Sequence, residues 1–378
     1  NLAVANKQSQ ETLEWIKKAR TSHPKAAQPS LALVRYYLQV GDAKQAVIAA
    51  QEAQNQSPDN PELLDLLGMA QLSAEQNSEA ISTFEKLSKL NPDSPVGYYR
   101  TAQAEIAAKN PRAAESSLKK ALRLKPDFLD AQVALTGIHV GAQRFNEALA
   151  VANDAIKTSP KSPAGQVLAG DIYMAQDQPD KAANSYRAAF DLANSGAILI
   201  KLHNAEAQSG KAVSDAVIEN HLKTNPQDLQ VRIYFADLLM KKQLYLEASK
   251  NYQAILEKDP KNLLALNNLA WTLQQLKDPR AMKYAETAYE LQPRNPAIED
   301  TLAMLLLDAG KTPRAIELLQ SAATQAPDSP EISYHLAKAF AKAGERDKAK
   351  TLIERVLASG KTFSEESEAR ELLAQLKK

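Results

Sequence analysis

The sequence predicts an all-α protein built as a solenoid of antiparallel helix hairpins, and one repeat period is the main observation behind this prediction. Prolines recur at intervals of 34, 34, 34, 34, 66, 34, 33 and 34 residues, and the interval of 66 is two periods with one proline missing. A period of about 34 residues is typical of two-helix repeats, and proline suits the end of a repeat because it cannot continue a helix. These prolines are Pro24, Pro58, Pro92, Pro126, Pro160, Pro226, Pro260, Pro293 and Pro327.

Alanines at fixed offsets support the same period. An alanine opens the second helix of most periods, and another follows seven residues later, which is two helical turns and therefore the same helix face. Small side chains there let neighbouring helices approach closely, while Phe84, Tyr186 and Tyr252 fill the remaining gaps. The first set is Ala46, Ala80, Ala114, Ala148, Ala182, Ala248, Ala315 and Ala349, and the second is Ala53, Ala121, Ala155, Ala189, Ala288 and Ala322.

The period divides the chain into about ten repeats. Residues 1–26 are interpreted as the end of a preceding repeat, so a targeting segment or lipid-attachment cysteine upstream of Asn1 is an expectation. Residues 364–378 are predicted to form a capping helix over the last repeat, with Ser364 as its N-cap. The repeats are 27–60, 61–94, 95–128, 129–162, 163–194, 195–228, 229–262, 263–295, 296–329 and 330–363.

The repeat 195–228 departs most from the pattern. Asn194 stands where a proline is expected, Ser195 and Gly196 interrupt the helix, and Ser214 replaces the small alanine. This indicates either a kink or hinge in the solenoid or sequence drift in one repeat of ten. Since no low-complexity linker divides the chain, one continuous solenoid domain is predicted.

Composition argues against several functional classes. Lys+Arg is 46 and Asp+Glu is 45, so the basic surplus of a dedicated nucleic-acid binder is missing. The 378 residues include no cysteine, the five histidines are scattered, and phosphate-loop and nucleophile-elbow motifs do not occur. Carboxylate pairs such as Glu365-Glu366 are expected on solvent faces, and His335 in packing or on the surface. The sequence therefore predicts no metal, no cofactor and no enzymatic activity, and no apolar run approaches the roughly 20 residues of a transmembrane helix.

The repeat offsets resemble the tetratricopeptide repeat family over nearly the whole chain. The resemblance implies a right-handed superhelical solenoid with a concave groove lined by the first helix of each repeat. Carrying the family's inward-facing positions onto this sequence gives a candidate binding set. It comprises Arg35, Met69, Tyr99, Gln103, Val133, Asp171, Met174, Asp237, Met240, Asn267, Trp271, Gln274, Met304, Tyr334 and Lys338.

Methionine and aromatic residues give this set its character. Four of the five methionines and one of the two tryptophans fall on inward-facing positions. Methionine adapts to varied surfaces, and tryptophan and tyrosine anchor interfaces, so a groove of this kind suits an extended or helical peptide better than a highly charged ligand. The competing interpretation is that these side chains pack between neighbouring hairpins.

The last third of the chain carries a more specific resemblance. The stretches are 265–271 (ALNNLAW), 276–281 (LKDPRA), 332–339 (ISYHLAKA) and 357–363 (LASGKTF). Residues 263–363 resemble the C-terminal part of the PEP-CTERM system repeat lipoproteins, the PrsT family, of Gram-negative bacteria. The resemblance implies a membrane-anchored scaffold on the periplasmic side of the envelope, connected with exopolysaccharide and exosortase protein sorting. The lipid-bearing cysteine of that family is absent from this sequence.

These observations favour a non-catalytic scaffold that binds partner proteins or peptides in its groove, with polysaccharide export machinery as one candidate partner. Two alternatives of different classes stay open: a polysaccharide-binding or export-guiding module, and a self-assembling structural solenoid. The alternative location is the cytoplasm.

The departures in repeat 195–228 predict that unfolding begins there, because each repeat is stabilised mainly by its neighbours. Hydrogen exchange of the native chain, followed by mass spectrometry, should show the lowest protection in this repeat. Protection equal to that of the adjacent repeats would refute the prediction.

Overall fold

The computed structural model describes residues 2–23, 26–210 and 214–377, with side chains described from residue 10 onward within the first of these ranges. Within these ranges the regular structure consists of 22 α-helices and no strand, which confirms the all-α class. The chain divides into two compact units, unit 1 (Asn1–Val213) and unit 2 (Ser214–Lys378). Of the prolines that define the period, Pro24 lies outside the described residues.

Unit 1 contains one helix that precedes the repeats, five complete hairpins and one further helix. In each hairpin the even-numbered helix is the first helix and the following odd-numbered helix is the second. The helices are α1 Leu2–Ser22, α2 Ala27–Gln39, α3 Ala43–Gln56, α4 Pro61–Ser73, α5 Asn77–Leu90, α6 Pro95–Ala107, α7 Pro111–Leu124, α8 Leu129–Gly141, α9 Phe145–Thr158, α10 Ala164–Ala175, α11 Pro179–Ala193 and α12 Gly196–Gln208.

Unit 2 contains one short helix, four complete hairpins and a final helix. The same numbering of first and second helices holds. The helices are α13 Ala216–Thr224, α14 Leu229–Lys241, α15 Tyr245–Leu256, α16 Leu263–Gln275, α17 Ala281–Leu291, α18 Pro296–Asp308, α19 Thr312–Gln325, α20 Pro330–Lys342, α21 Arg346–Ala358 and α22 Glu366–Leu376.

Each predicted repeat contains two helices, and the repeat 195–228 is the one whose helices fall in different units. Its first helix, α12, belongs to unit 1, and its second helix, α13, belongs to unit 2. Residues 211–213 between them lie outside the described residues. The continuous solenoid and the choice between a hinge and sequence drift therefore remain predictions.

Short polar side chains determine where many first helices begin. Asn60 accepts hydrogen bonds from the backbone N–H groups of Glu62 (3.0 Å) and Leu63 (3.3 Å), and Pro61 occupies the first helical position. This arrangement satisfies amide groups that have no partner inside the helix, and proline there sacrifices no hydrogen bond. Equivalent caps are Ser94, Asp228, Asn262, Asn295 and Ser329.

A left-handed residue ends each first helix and turns the chain into the second. Its φ lies between 55° and 82° in the nine hairpins that the structure describes and at Gly210 after α12, at a spacing of 33 or 34 residues. Several of these residues are not glycine, although glycine adopts this conformation at the lowest cost. The positions are Gly41, Glu75, Lys109, Gln143, Asp177, Gly210, Gln243, Lys277, Gly310 and Gly344.

The periodic alanines lie in the core as predicted, since every one of the fourteen is at most 3% exposed. Glycine performs the same role on the first helices that face Phe84 and Tyr186. A Cβ atom at Gly68 would lie 2.7 Å from Cδ1 of Phe84, and one at Gly170 would lie 2.6 Å from Cδ1 of Tyr186. The helices α4 and α10 therefore approach their second helices closely through glycine.

The final helix α22 begins at Glu366, in agreement with the predicted capping helix, but its N-terminal cap differs from the prediction. Ser364 was predicted as the N-cap, whereas Glu365 occupies that position and no side chain accepts a capping hydrogen bond. Ser364 lies instead in the preceding turn. The helix is fixed by other contacts: Ala369 is buried in a cluster with Tyr334, Ala337 and Ile353.

The close approach at Gly68 predicts that Gly68→Ala destabilises the protein by about 1–3 kcal/mol, because the new methyl group overlaps the Phe84 ring. Adding Phe84→Leu should recover most of the loss, since the next hairpin has the equivalent pair Ala102 and Leu118 in one core cluster. Urea unfolding followed by circular dichroism measures both effects.

The matched control is Gly137→Ala in α8. A Cβ atom there has no neighbour within 4 Å, so the substitution should leave stability unchanged or raise it by up to about 1 kcal/mol through helix propensity. Equal tolerance of alanine at Gly68 and Gly137 would contradict the packing argument.

Candidate functional site

The predicted binding residues all lie on first helices, and the two units carry separate groups. We call the group Arg35, Met69, Tyr99, Gln103, Val133, Asp171 and Met174 the first-helix surface of unit 1. The group Asp237, Met240, Asn267, Trp271, Gln274, Met304, Tyr334 and Lys338 is the first-helix surface of unit 2.

In unit 1, polar cross-links join the adjacent first helices α4 and α6. The Arg100 guanidinium donates to both carboxylate oxygens of Asp65, at 2.7 and 3.3 Å. It also donates to the Gln103 amide oxygen at 3.0 Å, and Gln103 in turn donates to the Tyr99 hydroxyl at 3.1 Å. The Tyr99 ring packs on Phe128 with 5.0 Å between ring centroids. The charges on this part of the surface are therefore already paired.

Other members of the unit 1 surface are held in the same way. Asp171 accepts hydrogen bonds from the Tyr186 hydroxyl and the Lys201 ammonium, each at 2.6 Å. Burial, followed by the hydrogen bond to Asp171, raises the pKa of Tyr186, so this tyrosine stays neutral and acts as a donor. Arg35 forms an ion pair with Glu62.

The apolar members of the unit 1 surface differ in exposure. Met69 is half-buried against the core cluster that contains Phe84, and Met174 is half-buried against the cluster that contains Tyr186. Val133 is 50% exposed. The two methionines therefore serve packing at least in part, and Val133 is the apolar side chain most available to a partner.

In unit 2, Asp237 and Met240 share partners at the contact between α14, α15 and α16. The Tyr252 hydroxyl donates to Asp237, and the Asn268 amide donates to the same carboxylate at 3.4 Å. The Met240 sulfur lies 2.9 Å from the Tyr252 hydroxyl and 3.4 Å from the Thr272 hydroxyl. Both predicted residues are thus engaged with neighbouring helices.

Around Trp271, some groups that could contact a ligand are not engaged within the chain. Trp271 is half-buried, and Tyr245 supports its ring edge-on, with 5.7 Å between centroids and an angle of 70°. One turn earlier, the side-chain oxygen of Asn267 is shielded from water and has no hydrogen-bond partner. One turn later, Gln274 donates to Asp308 at 2.6 Å. An aromatic face beside an unsatisfied amide acceptor is suited to a polypeptide.

Two predicted anchors, Met304 and Tyr334, are not on the accessible surface. Met304 is 8% exposed and Tyr334 is 3% exposed. Tyr334 packs against Phe363, with 6.0 Å between ring centroids, beneath α22. Burial, followed by nearby acidic side chains, raises the pKa of Tyr334 to about 12. Their predicted role as anchors is therefore corrected to packing, and the ammonium of Lys338 lies 6.0 Å from the Tyr334 ring centroid.

The strongest polar cluster of unit 2 was missed by the sequence analysis. His335 of α20 places Nδ1 at 2.7 and 2.9 Å from the Asp300 carboxylate of α18, and Nε2 at 2.7 Å from Glu365 at the start of α22. Burial lowers the pKa of His335, but hydrogen bonds and charge from both carboxylates outweigh burial and raise it to about 9. Both ring nitrogens therefore donate, and Glu365 is not the solvent-facing carboxylate that was expected.

Neither a metal centre nor a membrane span is present in the described part of the chain. Across residues 2–23, 26–210 and 214–377, no three His, Asp or Glu side chains form a group that could hold a metal ion. Over the same ranges, no helix is both long enough and apolar enough to cross a membrane.

Paired helices repeated at a fixed period, with first helices that present mixed polar and apolar side chains, define a helical-repeat protein. Comparison with family models identifies the repeats: the chain contains tetratricopeptide repeats. Models with this description match residues 31–95, 66–128 and 138–197 in one case, 105–166 and 306–376 in a second, and 251–283 in a third. Tetratricopeptide repeats commonly form scaffolds for protein–protein interaction that bind protein or peptide partners, and they are generally non-catalytic.

Solved structures of repeat proteins are similar to this chain at low identity. Yeast Tom70 is 15% identical, with 92% of this chain and 94% of Tom70 covered and a TM-score of 0.46. A tetratricopeptide repeat protein from Parabacteroides merdae is 17% identical, with 75% and 99% covered and a TM-score of 0.42. YrrB, described as having an unusual peptide-binding site, is 18% identical, with 50% and 97% covered and a TM-score of 0.37. No curated protein sequence matches the chain.

The His335 cluster predicts a stability that falls at high pH. Because the folded-state pKa of about 9 lies above the ordinary value of 6.5, the contribution is complete below pH 6.5 and is lost as the pH rises through 9. The difference between the folded-state pKa of His335 and its ordinary value corresponds to about 3 kcal/mol of folding free energy. Urea unfolding between pH 6 and pH 10 should show this loss in the native chain.

His335→Gln supplies the control for other groups that titrate in this range. It should be less stable by about 3 kcal/mol at pH 6.5, because two partly buried carboxylates lose their cation, and it should show little further loss up to pH 10. Parallel pH profiles for the two proteins would exclude His335 as the source.

Proposed function

We propose that this protein is a non-catalytic scaffold that binds a partner polypeptide on the first-helix surface of unit 2, around Trp271. The observation that carries the proposal is the partly exposed Trp271 ring next to Asn267, whose side-chain oxygen has no partner. The ring supplies apolar contact area, and an amide N–H of a bound peptide would satisfy the asparagine oxygen once the Asn267 amide turns about its terminal torsion, because that oxygen is shielded from water in the free chain. Tyr334 and Met304 are left out because they are buried.

The electrostatics of the first-helix surfaces favour a partner of moderate charge. In unit 1, Asp65 is paired with Arg100 and Asp171 with Lys201. In unit 2, the carboxylate of Asp237 accepts hydrogen bonds within the chain. Since internal partners take up these charges, apolar contact and hydrogen bonding supply most of the binding free energy. This supports a polypeptide ligand rather than a nucleic acid, which requires unpaired basic groups.

The proposed setting is the periplasmic side of the bacterial envelope, where the scaffold would serve exopolysaccharide export or exosortase-dependent protein sorting. The support is the resemblance of residues 263–363 to the PEP-CTERM system repeat lipoproteins. Anchoring by a lipid belongs to the same proposal. A cytoplasmic location is the alternative.

The proposal predicts that Trp271→Ala lowers partner affinity about 10- to 100-fold, the effect of removing a central aromatic anchor. The native chain would be used to capture partners from a Gram-negative envelope extract, followed by mass spectrometry and by affinity measurement with each purified partner. Trp15→Ala is the matched control, because Trp15 is 71% exposed on α1 and lies outside the candidate surface.

Each outcome separates the candidate functions. A partner that is lost with Trp271→Ala and kept with Trp15→Ala supports the scaffold, and its identity tests the envelope setting. A partner kept by both variants moves the site away from Trp271. Retention of polysaccharide without a protein partner supports a glycan-binding module, and a mass that rises with concentration supports a self-assembling solenoid.

A further inference from the structure

Unit 1 buries a column of polar side chains on the side of the first helices that faces the second helices. The column recurs every 34 residues, at the eleventh position of α4, α6 and α8, and its members are 5%, 8% and 2% exposed. They are Gln71, Glu105 and His139. The second helices carry a matching series at the same period, namely Thr83, Ser117 and Val151.

The members of the column differ in how well their hydrogen-bonding groups are satisfied. The Thr83 hydroxyl donates to the side-chain oxygen of Gln71 at 2.7 Å. Ser117 donates to the Glu105 carboxylate, yet the second oxygen of that carboxylate, Oε2, is shielded from water and has no partner. A buried carboxylate oxygen without a donor is costly, so Glu105 is the position where an added donor would contribute most.

Glu105 forms part of the wall of a cavity of about 620 Å³ between α5, α6 and α7, which we call the Glu105 cavity. The other residues that matter for its chemistry are Ser88, Lys89, Tyr98, Ser117 and Lys120. The Lys120 ammonium lies 5.9 Å from the centroid of the Tyr98 ring. The chain thus already holds one ammonium group over the aromatic wall of this cavity.

The available groups select one type of ligand. One oxygen of the Glu105 carboxylate, Oε2, is shielded and has no partner, whereas an arginine guanidinium pairs best with two oxygens at once. An ammonium is a compact charge that needs one acceptor and is also attracted to an aromatic face. The geometry therefore favours the side chain of lysine over that of arginine.

We propose that the Glu105 cavity binds the ammonium group of a lysine side chain of a partner polypeptide, with Glu105 Oε2 as acceptor and the Tyr98 ring against the cation. The site belongs to unit 1, whereas the Trp271 neighbourhood belongs to unit 2, and it rests on the proposed function only for the polypeptide nature of the ligand. Lys120 competes for the same ring, so binding displaces it. Rotation about the terminal torsion of Glu105, which is soft, presents Oε2 to the ligand.

The pKa of Glu105 is raised above its ordinary value, so a bound ammonium has to draw the carboxyl into its charged form. Burial raises the pKa of Glu105, the hydrogen bond from Ser117 lowers it, the charge of Glu85 raises it, and Lys120 lowers it, with burial the largest of these effects. A second cation next to the carboxylate stabilises its charged form. Binding of an ammonium therefore offsets the cost of burying this charge.

The test is an NMR titration of the full-length, isotope-labelled chain with N-acetyl-lysine methylamide. Two probes with the same blocked backbone act as ligand controls: N-acetyl-norleucine methylamide keeps the alkyl chain and lacks the ammonium group, and N-acetyl-arginine methylamide carries a guanidinium. We expect saturable shifts of amide signals from α6 and α7 with the lysine probe, at least 10-fold weaker binding of the norleucine probe, and weaker binding of the arginine probe.

Two variants test the roles of the protein groups. Glu105→Gln preserves shape and removes a buried charge, so the chain should stay folded while the lysine probe binds 10- to 100-fold more weakly. Lys120→Met removes the internal competitor, so binding should become several-fold tighter. Trp271→Ala should leave this titration unchanged, which keeps failure of this site distinct from failure of the proposed function.

Three results would overturn the proposal. They are equal binding of the lysine and norleucine probes, unchanged affinity in Glu105→Gln, and tighter binding of the arginine probe than of the lysine probe. Weaker binding in Lys120→Met would also contradict it, because Lys120 would then assist the ligand instead of competing with it.

Discussion

In several hairpins the packing depends on size complementarity between the eighth position of the repeat, which lies on the first helix, and the residue that faces it on the second helix. Opposite the aromatic residues Phe84 and Tyr186, the first helix has glycine. Opposite Leu118, the first helix has Ala102. Since interiors are close-packed, a change of one methyl group on either side has to be balanced on the other. The balance keeps hairpin geometry constant, and a constant geometry is what makes a repeat of about 34 residues possible.

Constant hairpin spacing has a direct consequence for the first-helix surfaces. Residues about one period apart on adjacent first helices come within hydrogen-bond distance, as in Arg100 with Asp65 and His335 with Asp300. Such pairs stabilise the stacking of neighbours, and they also use charges that would otherwise be open to a ligand. Many polar groups on the surface that the family pattern assigns to binding are therefore already hydrogen-bonded within the chain. Groups that are not engaged within the chain remain at Trp271, Asn267 and Val133.

Periodicity explains how much could be predicted from the sequence. Proline and alanine positions predict the hairpins because each repeat needs the same helix stop and the same small residues, and the described helices confirm this. The burial of Tyr334 could not be predicted, since it depends on the way α22 folds back over α20. The His335 cluster combines three segments that are 30 to 35 residues apart, and the spacing of one element does not reveal it. The left-handed turns could not be predicted from the sequence because many of the residues with positive φ are not glycine.

The two sides of unit 1 differ in how many of their polar groups already have hydrogen-bond partners, and this affects the free energy that a bound partner can gain. On the first-helix side, the polar groups of Asp65 and Asp171 have partners inside the chain, so a ligand there has to compete with existing hydrogen bonds. On the side that faces the second helices, one carboxylate oxygen of Glu105 has no hydrogen-bond donor. The folded protein already includes the free-energy cost of burying this oxygen. A ligand that supplies the missing donor gains this interaction without breaking an internal hydrogen bond of that oxygen, although it displaces Lys120 from the Tyr98 ring. Within this unit, unsatisfied polar groups therefore identify binding capacity better than the position of a residue in the repeat does.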